Sequence, residues 1–493
     1  MKCKLIIRDQ VNARFDGLDA HIRRKISEAM KVFIPQARHM PAFKLGRWDG
    51  KIGFFEVSGK TYINLLDRVL PMVIDAGYEI ELVDERPTLS FTFPEVREDM
   101  FADRVWPDGH PLAGQPIMLR DHQATAIKTF VDNLQSIQRL PTGFGKTLLS
   151  AALSATVEPY GRSIIIVPNR SLVEQTEEDY RNLGLDVGVL FGGRWEFGHT
   201  HTIATWQTMT QLAKKERRGE VTSAPPFSEI IEDVVCVMID EAHTLTGKDL
   251  RELMCGPMAA IPIRWGFTGT IPKQEHDFLQ LLCSIGPVVG EVSAKELQEK
   301  KVLADCDIEI IQMIDDHLEF PDYHSEHEYL VTDPTRIQWI ADFVNTLSET
   351  GNVLVLVDRV KTGKLLLDLV PDSVFIHGST KSSKRKEEYK SVQEGGDKKM
   401  IATAGVAAVG ISITHIDHLV VISYGKAYTK SIQSIGRGLR LGGDKVKVKI
   451  WDLCSTMKFD KRHLAERKKY YKEEQYPFKV TKVNYLADMR RRH

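Results

Sequence analysis

A glycine-rich stretch, LPTGFGKT at residues 140–147, has the residue types that bind the phosphates of a nucleotide. Its glycines, Gly143 and Gly145, can adopt positive φ angles and let backbone N–H groups approach phosphate oxygens closely. An apolar helical pattern follows directly, and a helix N-terminus favours an anion. Lys146 then suits the β- and γ-phosphates, and Thr147 suits a magnesium ion. The stretch therefore predicts a site for ATP and Mg²⁺.

This loop departs at one position from the strict phosphate-loop pattern, which has glycine six residues before the lysine. The chain has Leu140 there. The alternative interpretation is a glycine-rich turn between a strand and a helix, with the lysine on the surface. The sequence GKT at the start of a helix favours the nucleotide site, in which we also place Thr142.

Two adjacent acids end a second apolar run, VVCVMIDEAH at residues 234–243. An aspartate at the carboxyl end of a strand, near a phosphate loop, can hold Mg²⁺ directly or through water. The glutamate beside it can orient and deprotonate an attacking water. We assign Asp240 to the metal and Glu241 to the water. The alternative is a helix N-cap aspartate followed by a glutamate in the first turn, which is a common pattern.

Short runs rich in valine and isoleucine alternate with helical patterns from about residue 117 onward. They are SIIIVP, VVCVMID, VLVLVD, KMIATA, HLVVIS and VKVKIWDL. Continuous apolar strands, rather than alternating ones, indicate parallel strands covered on both faces. Strands that alternate with helices indicate doubly wound α/β units, and there are enough of them for two domains.

Composition excludes several classes of protein. The 493 residues suggest about three domains, and 42% hydrophobic with 27% charged residues is ordinary for a globular chain. The 66 basic and 67 acidic residues exclude a uniformly basic surface but leave room for a basic groove. The six cysteines are scattered, which argues against a zinc cluster or a disulfide scaffold. Without an apolar span or a signal-peptide core, we expect a cytoplasmic protein that does not bind membranes.

Four motifs stand in the order used by superfamily 2 helicases and translocases, which the chain resembles over about residues 117–455. They are LPTGFGKT, DEAH at 240–243, TGT at 268–270 and QSIGRGLR at 433–440. The resemblance implies a nucleic-acid-stimulated ATPase. Its fold class would be α/β, with two tandem RecA-like doubly wound parallel-sheet motor domains. A small mixed α/β domain would precede them.

The resemblance and the composition together predict five segments. They are an N-terminal α/β DNA-binding domain at 1–95, a linker at 96–116, the ATP-binding motor domain 1 at 117–300, motor domain 2 at 301–457 and a C-terminal helical segment at 458–493. The last segment has 12 Lys and Arg residues against five Asp and Glu residues, so it is locally basic.

Further nucleotide contacts follow from the resemblance alone. Gln123 would read adenine beside Arg120, although a glutamine on a helix surface is the alternative. Arg437 and Arg440 lie three apart on one side of a helix and would neutralise charge on the transferring γ-phosphate. Gln433 belongs to the same motif. The alternative for these arginines is an exposed basic helix.

The resemblance also implies nucleic-acid contacts and coupling residues. TGT would couple the ATP state to closure of the two domains through Thr268 and Thr270, although it could equally be a plain strand end. ATAGVAAVGIS departs from many relatives, because Ala404 and Ser412 stand where those have acids. Candidate contacts to the nucleic-acid backbone are Arg170, Thr205, Arg359, His377 and Thr403, and Gly410 is a candidate nucleotide contact.

The N-terminal string FKLGRWDGKI also resembles UvsW-type phage recombination helicases, as does HLAERKKYYKEEQY at 463–476. In the first string, Lys44, Arg47 and Lys51 flank Trp48. Basic residues interleaved with aromatics suit phosphate contact with base stacking, or a wedge that splits a duplex. The alternative is a hairpin whose aromatics fill a small core.

The resemblance therefore implies an ATP-driven DNA helicase that remodels branched DNA: forks, D-loops, Holliday junctions and R-loops. It would act as a monomer in a phage-infected bacterial cell, with phage single-strand-binding or recombination proteins as candidate partners. The alternatives are an RNA helicase, a duplex-translocating motor subunit of a nuclease or restriction complex, and a binding protein with an inactive ATPase.

Overall fold

The computed structural model describes most of the chain: residues 1–108, 112–220, 223–302, 305–380, 384, 385, 387, 388, 391, 398–407, 416–422, 447–473 and 475–492. The chain divides into two compact units, one of residues 1–140 with 145–291 and the other of residues 141–144 with 292–493. Within the described ranges, no helix is both long enough and apolar enough to cross a membrane.

The first unit begins with a small α/β domain. Its elements are β1 (Lys2–Ile7), β2 (Asn12–Asp16), α1 (Ala20–Ala29), β3 (Lys31–Phe33), α2 (Pro41–Lys44), β4 (Lys51–Gly53), β5 (Lys60–Tyr62), α3 (Leu66–Asp75) and β6 (Glu79–Asp84). The strands form a mixed sheet in the order β5-β2-β1-β6, and β3 pairs separately with β4. Alternate residues of β1 and β2 are buried, so one sheet face packs in the domain core and the other faces solvent.

The rest of the first unit is built around an eight-stranded sheet. Its elements are β7 (Phe101–Val105), β8 (Pro116–Ile117), α4 (Asp121–Val131), β9 (Gln135–Arg139), α5 (Lys146–Val157), β10 (Arg162–Val167), α6 (Arg170–Asn182), β11 (Val187–Phe191), β12 (Arg194–Trp195), β13 (His201–Thr205), α7 (Trp206–Arg217), α8 (Phe227–Ile230), β14 (Val234–Asp240), α9 (Lys248–Cys255), β15 (Ile263–Thr268), α10 (Glu275–Ser284) and β16 (Val288–Glu291). The sheet order is β12-β11-β13-β10-β14-β15-β9-β16, and only β12 is antiparallel to its neighbour.

The small N-terminal domain shares its hydrophobic core with the large sheet domain. Leu279 and Cys283 of α10 are buried among residues of β1, β2, α1 and α3. The backbone carbonyl of Cys255 accepts a hydrogen bond from the Asn12 side chain, and Leu282 O accepts one from Asn64. The two parts are therefore packed together as one unit.

The second unit contains a seven-stranded parallel sheet. Its elements are α11 (Ala294–Glu299), β17 (Asp305–Met313), α12 (Tyr323–Thr332), α13 (Pro334–Ser348), β18 (Val353–Val357), α14 (Val360–Leu369), β19 (Ser373–Ile376), β20 (Lys399–Thr403), α15 (Ala404–Ala407), β21 (His418–Ile422), β22 (Lys447–Ser455), α16 (Lys458–Glu473), β23 (Phe478–Val483) and α17 (Tyr485–Arg492). The strand order is β19-β20-β18-β21-β22-β17-β23.

The predicted fold is confirmed: two RecA-like domains follow each other, and their sheets are parallel except for β12 at the edge of the first. The valine- and isoleucine-rich runs form β10, β14, β18, β20, β21 and β22. Such strands are buried on both faces, as every residue of β18 is. The segment predicted as a linker contains a strand, β7, which pairs with β8. The domain boundaries inferred from the sequence stay predictions.

The C-terminal segment packs on the second sheet, and it contains a strand as well as helices. β23 pairs in parallel with β17 along the sheet edge. In α16, the buried Arg467 donates to Oδ2 of Asp452 at 2.9 Å, and the Tyr471 hydroxyl donates to the same oxygen at 3.0 Å. These buried contacts make the segment part of the second unit's fold, a point that its basic composition leaves open.

Candidate nucleotide and nucleic-acid site

Three neighbouring parallel strands bring the main motifs of the first unit to one edge of its sheet. β9 lies between β15 and β16, and β15 pairs on its other side with β14. In the register, Arg139 of β9 pairs with Thr268 of β15, and Phe267 pairs with Asp240 of β14. The glycine-rich loop, the TGT segment and the acids therefore begin at adjacent carboxyl ends, where open α/β sheets bind ligands.

The glycine-rich loop leads directly into α5, which begins at Lys146. Gly143 and Gly145 have φ angles of 85° and 90°, a region that favours glycine. A Cβ added at Gly145 would also overlap the side-chain amide nitrogen of Gln123. The backbone conformation therefore favours glycine at position 145, and a larger residue there would have to displace the amide end of Gln123.

Gln123 is buried, with 3% of its surface exposed. Its Oε1 accepts a hydrogen bond of 2.9 Å from the backbone N–H of Arg120 at the start of α4. The alternative of a glutamine on the helix surface is therefore wrong. The side chain lies against Gly145 of the glycine-rich loop, which is a suitable location for a nucleotide contact. Its contact with adenine stays a prediction.

The lysine predicted to bind the phosphates and the glutamate predicted to activate water are in direct contact. Nζ of Lys146 lies 3.3 Å from Oε1 of Glu241, and both side chains are largely buried. Burial raises the pKa of the Glu241 carboxyl, but the charge of Lys146 and the hydrogen bond from His243 outweigh it and hold that pKa well below its ordinary value. Glu241 is therefore ionised, as a general base for water must be.

Glu241 has a backbone φ of 55°, which is uncommon for a residue other than glycine. Its backbone N–H donates to Oδ1 of Asp240 at 3.0 Å. Backbone strain of this kind is concentrated at functional sites, where the surrounding structure fixes it.

His243 connects the acids to the TGT segment. Its Nδ1 lies 3.2 Å from Oε2 of Glu241 and 2.9 Å from Oγ1 of Thr268. The Thr268 hydroxyl donates to the carbonyl of Thr270 and accepts from its N–H. The sequence prediction gave His243 no role, although its place two residues after Glu241 was the available signal. Thr268 is fully buried and its hydroxyl contacts both His243 and Thr270, so its predicted coupling role stays a prediction with a suitable location.

The residues predicted to hold magnesium, Thr147 and Asp240, offer one hydroxyl and one carboxylate. In the part of the chain that the structure describes, no group of three or more His, Cys, Asp or Glu side chains could hold a metal ion. A site with few protein oxygens fits Mg²⁺, which usually keeps waters and binds substrate phosphates. The donor set thus fits this ion rather than a zinc ion.

Two predicted nucleic-acid contacts follow adjacent strands of the first sheet. Arg170 begins α6 after β10, and Thr205 ends β13, which pairs with β10. Arg170 is exposed and lies over the ring of Phe191, at 5.2 Å from its centre. The Thr205 side chain is mostly buried and accepts from the Thr208 N–H as the N-cap of α7. Arg170 is solvent-exposed but also pairs with Glu174 at 3.5 Å, whereas Thr205 caps α7.

Three predicted contacts of the second unit also lie at neighbouring strand ends. Arg359 follows β18, His377 follows β19 and Thr403 ends β20, and β20 pairs with both other strands. Arg359 is exposed, and Nδ1 of His377 lies 2.9 Å from the hydroxyl of Ser379. The sheet therefore gathers these three residues at one edge. Their roles stay predictions.

Four predicted nucleotide residues lie outside the described part of the chain: Gly410, Gln433, Arg437 and Arg440. The predicted N-terminal contacts lie on the hairpin formed by β3 and β4 and its connection. Lys44 and Arg47 are exposed there. Trp48 is partly buried and donates to the carbonyl of Lys51, and Nζ of Lys51 lies 3.1 Å from Glu28.

Comparison with known proteins identifies both motor domains. Residues 116–273 match the family "Type III restriction enzyme, res subunit", and residues 335–442 match "Helicase conserved C-terminal domain". Among curated proteins, the chain is 24% identical over 464 residues to the ATP-dependent DNA helicase uvsW of Enterobacteria phage T4. That alignment covers 88% of this chain and 87% of the phage protein.

A second relative is the DNA 3'-5' helicase XPB of Kineococcus radiotolerans, 22% identical over 375 residues, with 73% of this chain and 64% of that protein covered. Among solved structures, Saccharomyces cerevisiae Dbp5 bound to RNA and ADP BeF3 aligns with a TM-score of 0.52 and 15% identity. It covers 75% of this chain and 90% of that chain, and it supports the fold. With the three motifs of the first unit at adjacent strand ends and both domains matched, the chain belongs to the superfamily 2 helicases and is an ATP-dependent helicase related to UvsW of phage T4.

Proposed function

We propose that this helicase uses ATP hydrolysis to remodel branched DNA, by branch migration, fork regression and unwinding of D-loops and R-loops, in phage recombination, repair and replication. The contact between Lys146 and Glu241 carries the hydrolytic part of this proposal. The alignment with the phage T4 helicase supports the substrate, because it extends beyond the motor segment at 117–455.

The residues of the first unit divide the work of hydrolysis. Lys146 and the backbone of the glycine-rich loop bind the phosphates. The ionised Glu241 orients the attacking water and accepts its proton, and His243 holds that carboxylate in place. Thr147 and Asp240 would hold Mg²⁺, which neutralises charge on the phosphates when it is bound.

The negative charge on the transferring phosphoryl group must also be neutralised, and we assign this to side chains of the second motor domain. Arg437 and Arg440, with Gln433 beside them in sequence, are the proposed donors. An arginine that acts in the transition state affects turnover more than nucleotide affinity. Substitution of Arg440 by alanine should therefore lower turnover much more than ATP binding.

The proposed nucleic-acid contacts are directed to the backbone. Arg170 and Thr205 in the first unit, and Arg359, His377 and Thr403 in the second, follow the carboxyl ends of parallel strands. Contacts to phosphate and sugar fix register and orientation without reading bases. We therefore expect binding that is independent of sequence, strongly dependent on salt and selective for DNA shape.

One alternative has an observation in its favour. The first motor domain matches a family described by a restriction-enzyme subunit, so a duplex-translocating motor that works for a nuclease partner is the second candidate. An RNA helicase is the third candidate.

The proposal also includes a monomeric protein in the cytoplasm of an infected bacterial cell. Phage single-strand-binding or recombination proteins are its candidate partners.

The test is ATP turnover with matched substrates: single-stranded DNA, linear duplex, a replication fork, a four-way junction and single-stranded RNA. The proposal predicts the strongest stimulation by branched DNA, with junctions converted to duplexes and no cleavage. Stimulation by RNA alone would support the RNA helicase. Equal stimulation by linear duplex without strand exchange would support the motor of a nuclease complex.

A further inference from the structure

Residues 34–50, which we call the arm, connect β3 and β4 as a long, internally packed excursion of the N-terminal domain. The rings of Phe33 and Phe43 meet edge to face at 6.0 Å. Gly50 has a φ of 75°, and a Cβ there would lie 2.7 Å from Phe33 and 2.9 Å from Phe43. The arm thus has a small aromatic core closed by a glycine, so its outer residues are held in defined positions.

The outer surface of the arm combines large apolar side chains with cations. Leu45 is 64% exposed and Met40 is 45% exposed. Both are next to exposed basic residues in the sequence: His39 beside Met40, and Lys44 beside Leu45. Arg47 follows after Gly46, whose positive φ of 65° forms the turn at the end of α2.

The cations of the arm differ from those on the open face of the neighbouring sheet. On that face, basic residues in and just after β1 pair with acids in and just after β6: Lys2 with Glu79, Lys4 with Glu81 and Arg8 with Glu85. Within the described residues, neither Lys44 nor Arg47 has an acid within ion-pair distance. The sheet face is therefore locally neutralised, whereas the arm presents positive charge beside apolar side chains.

We propose that the arm is a DNA wedge, in which Leu45 and Met40 contact and unstack the base pair at a branch point while Lys44 and Arg47 bind the flanking phosphates. Apolar side chains between cations match this occupant, because base faces are apolar and the adjoining backbone is anionic. The proposal rests on the function proposed above. It adds two residues, Met40 and Leu45, to which the sequence motifs give no role.

The arm is also fixed to the ATPase part of the first unit. The side-chain amide of Gln36 donates to Gln274, which stands just before α10. Nearby, Arg68 of α3 pairs with Glu275 at 2.9 Å. Because α10 follows the TGT segment and shares the core of the N-terminal domain, the wedge would move with the first motor domain.

The apolar contact is tested with a fork that carries 2-aminopurine at the branch-point base pair, since its fluorescence rises when the base unstacks. The full-length protein is added without ATP. We expect a rise of at least twofold with the parent and little change with the Met40→Ala/Leu45→Ala double variant. Fork affinity, measured by anisotropy, should change less than threefold, and junction conversion with ATP should fall at least tenfold.

Leu82→Ala is the matched control, because Leu82 is 61% exposed on β6, an edge strand of the sheet that does not include β3 or β4. It should behave as the parent. If the double variant unstacks the branch-point base and converts junctions as the parent does, the wedge proposal is wrong. The arm would then be a candidate contact for a protein partner. If branched DNA stimulates the parent strongly but the fluorescence does not rise, the wedge fails and the proposed function stands. A parent with no response to any branched DNA would contradict both.

The cations are tested separately by salt dependence. Each phosphate contact contributes about 0.9 to the slope of log K against log salt concentration for B-DNA. Lys44→Ala and Arg47→Ala should each lower the slope for fork binding by about that amount. Lys4→Ala removes a cation that lies 3.6 Å from Glu81, so it should leave the slope unchanged. Unchanged slopes for both arm variants would overturn the phosphate contacts.

Discussion

Nδ1 of His243 lies 2.9 Å from Oγ1 of Thr268, and the same ring nitrogen lies 3.2 Å from the carboxylate of Glu241. One imidazole thus joins the glutamate that we propose activates water to the end of the neighbouring strand β15. Since Thr268 also binds both backbone groups of Thr270, a change in the carboxylate's surroundings can reach the segment that leads to α10.

His243→Ala should lower DNA-stimulated ATP turnover by about tenfold and change ATP affinity by less than threefold. The imidazole positions Glu241, so its loss affects the transition state more than ground-state binding. Steady-state turnover and nucleotide titrations measure the two effects. The exposed His21→Ala is the control, and it should match the parent. Equal losses of affinity and turnover would indicate a structural role for His243.

Thr268→Val should separate hydrolysis from strand separation. Valine keeps the shape of this buried residue but removes the hydroxyl that contacts His243 and Thr270. We expect a greater loss in junction base pairs opened per ATP than in ATP turnover itself. Thr125→Val, at an exposed site on α4, serves as the control. Proportional loss of turnover and unwinding would argue against a coupling role.

Gly145→Ala should weaken ATP binding by more than tenfold. The added Cβ meets the amide of Gln123 and imposes strain at a φ of 90°. Gly219→Ala separates these causes, because Gly219 has a φ of 67° and no atom within 4 Å of the added Cβ. That control should show only the modest loss of stability caused by strain. If both variants bind ATP like the parent, the loop does not bind phosphates as we describe.

The buried His201 predicts a loss of stability in acid. Burial lowers the pKa of His201 to about 4, and its Nδ1 lies 2.9 Å from the hydroxyl of Ser163. In the unfolded chain the pKa is near 6.5, so between these values the unfolded state binds more protons and the stability falls as pH falls. At pH 5 the lowered pKa of this one group reduces the free energy of unfolding of the first unit by about 2 kcal/mol.

Urea titrations at pH 7 and pH 5 measure this effect. His201→Gln should lose less stability between the two pH values than the parent does, whatever its stability at pH 7. His21→Gln, at an exposed site, should lose as much as the parent. An equal pH response of parent and His201→Gln would show that His201 is not the group responsible.

A buried network in the second unit predicts that the end of the chain stabilises the motor. Asp315 and Arg336 form a fully buried ion pair at 2.8 Å, and the Tyr485 hydroxyl donates to Asp315 at 2.8 Å. Tyr485→Phe should lower the free energy of unfolding of this unit by about 1–3 kcal/mol, because the carboxylate loses a donor. Thermal unfolding measures the change. Tyr470→Phe, on α16, is the control. If it lowers the free energy of unfolding more than Tyr485→Phe does, the buried network is not what stabilises this unit.

The strands and the nucleotide motifs could be predicted because their signals are local. Continuous runs of Val and Ile indicate buried parallel strands, and the loop before Lys146 has its chemistry within eight residues. By contrast, the sequence alone leaves a helix-surface position open for Gln123, because its burial depends on contact with a loop that lies later in the chain. The core formed by α10 with the N-terminal domain is likewise a long-range contact.

The strand β23 was missed for a different physical reason. Most of its residues are exposed, and Lys479 and Lys482 give it the composition of a solvated tail. Edge strands often carry lysine, which discourages pairing with other chains. Only its pairing with β17 distinguishes it from a loop.

Conversion of a four-way junction by the parent and by Glu241→Gln tests the central claim most directly. The claim is that the Glu241 carboxylate, held by Lys146 and His243, activates the water that hydrolyses ATP, and that this hydrolysis powers DNA remodelling. It predicts ATP-dependent conversion of the junction to uncleaved duplexes by the parent. Glu241→Gln should bind both ATP and the junction but lose at least 100-fold in turnover and in conversion. Parent-like turnover and conversion by Glu241→Gln would contradict the account.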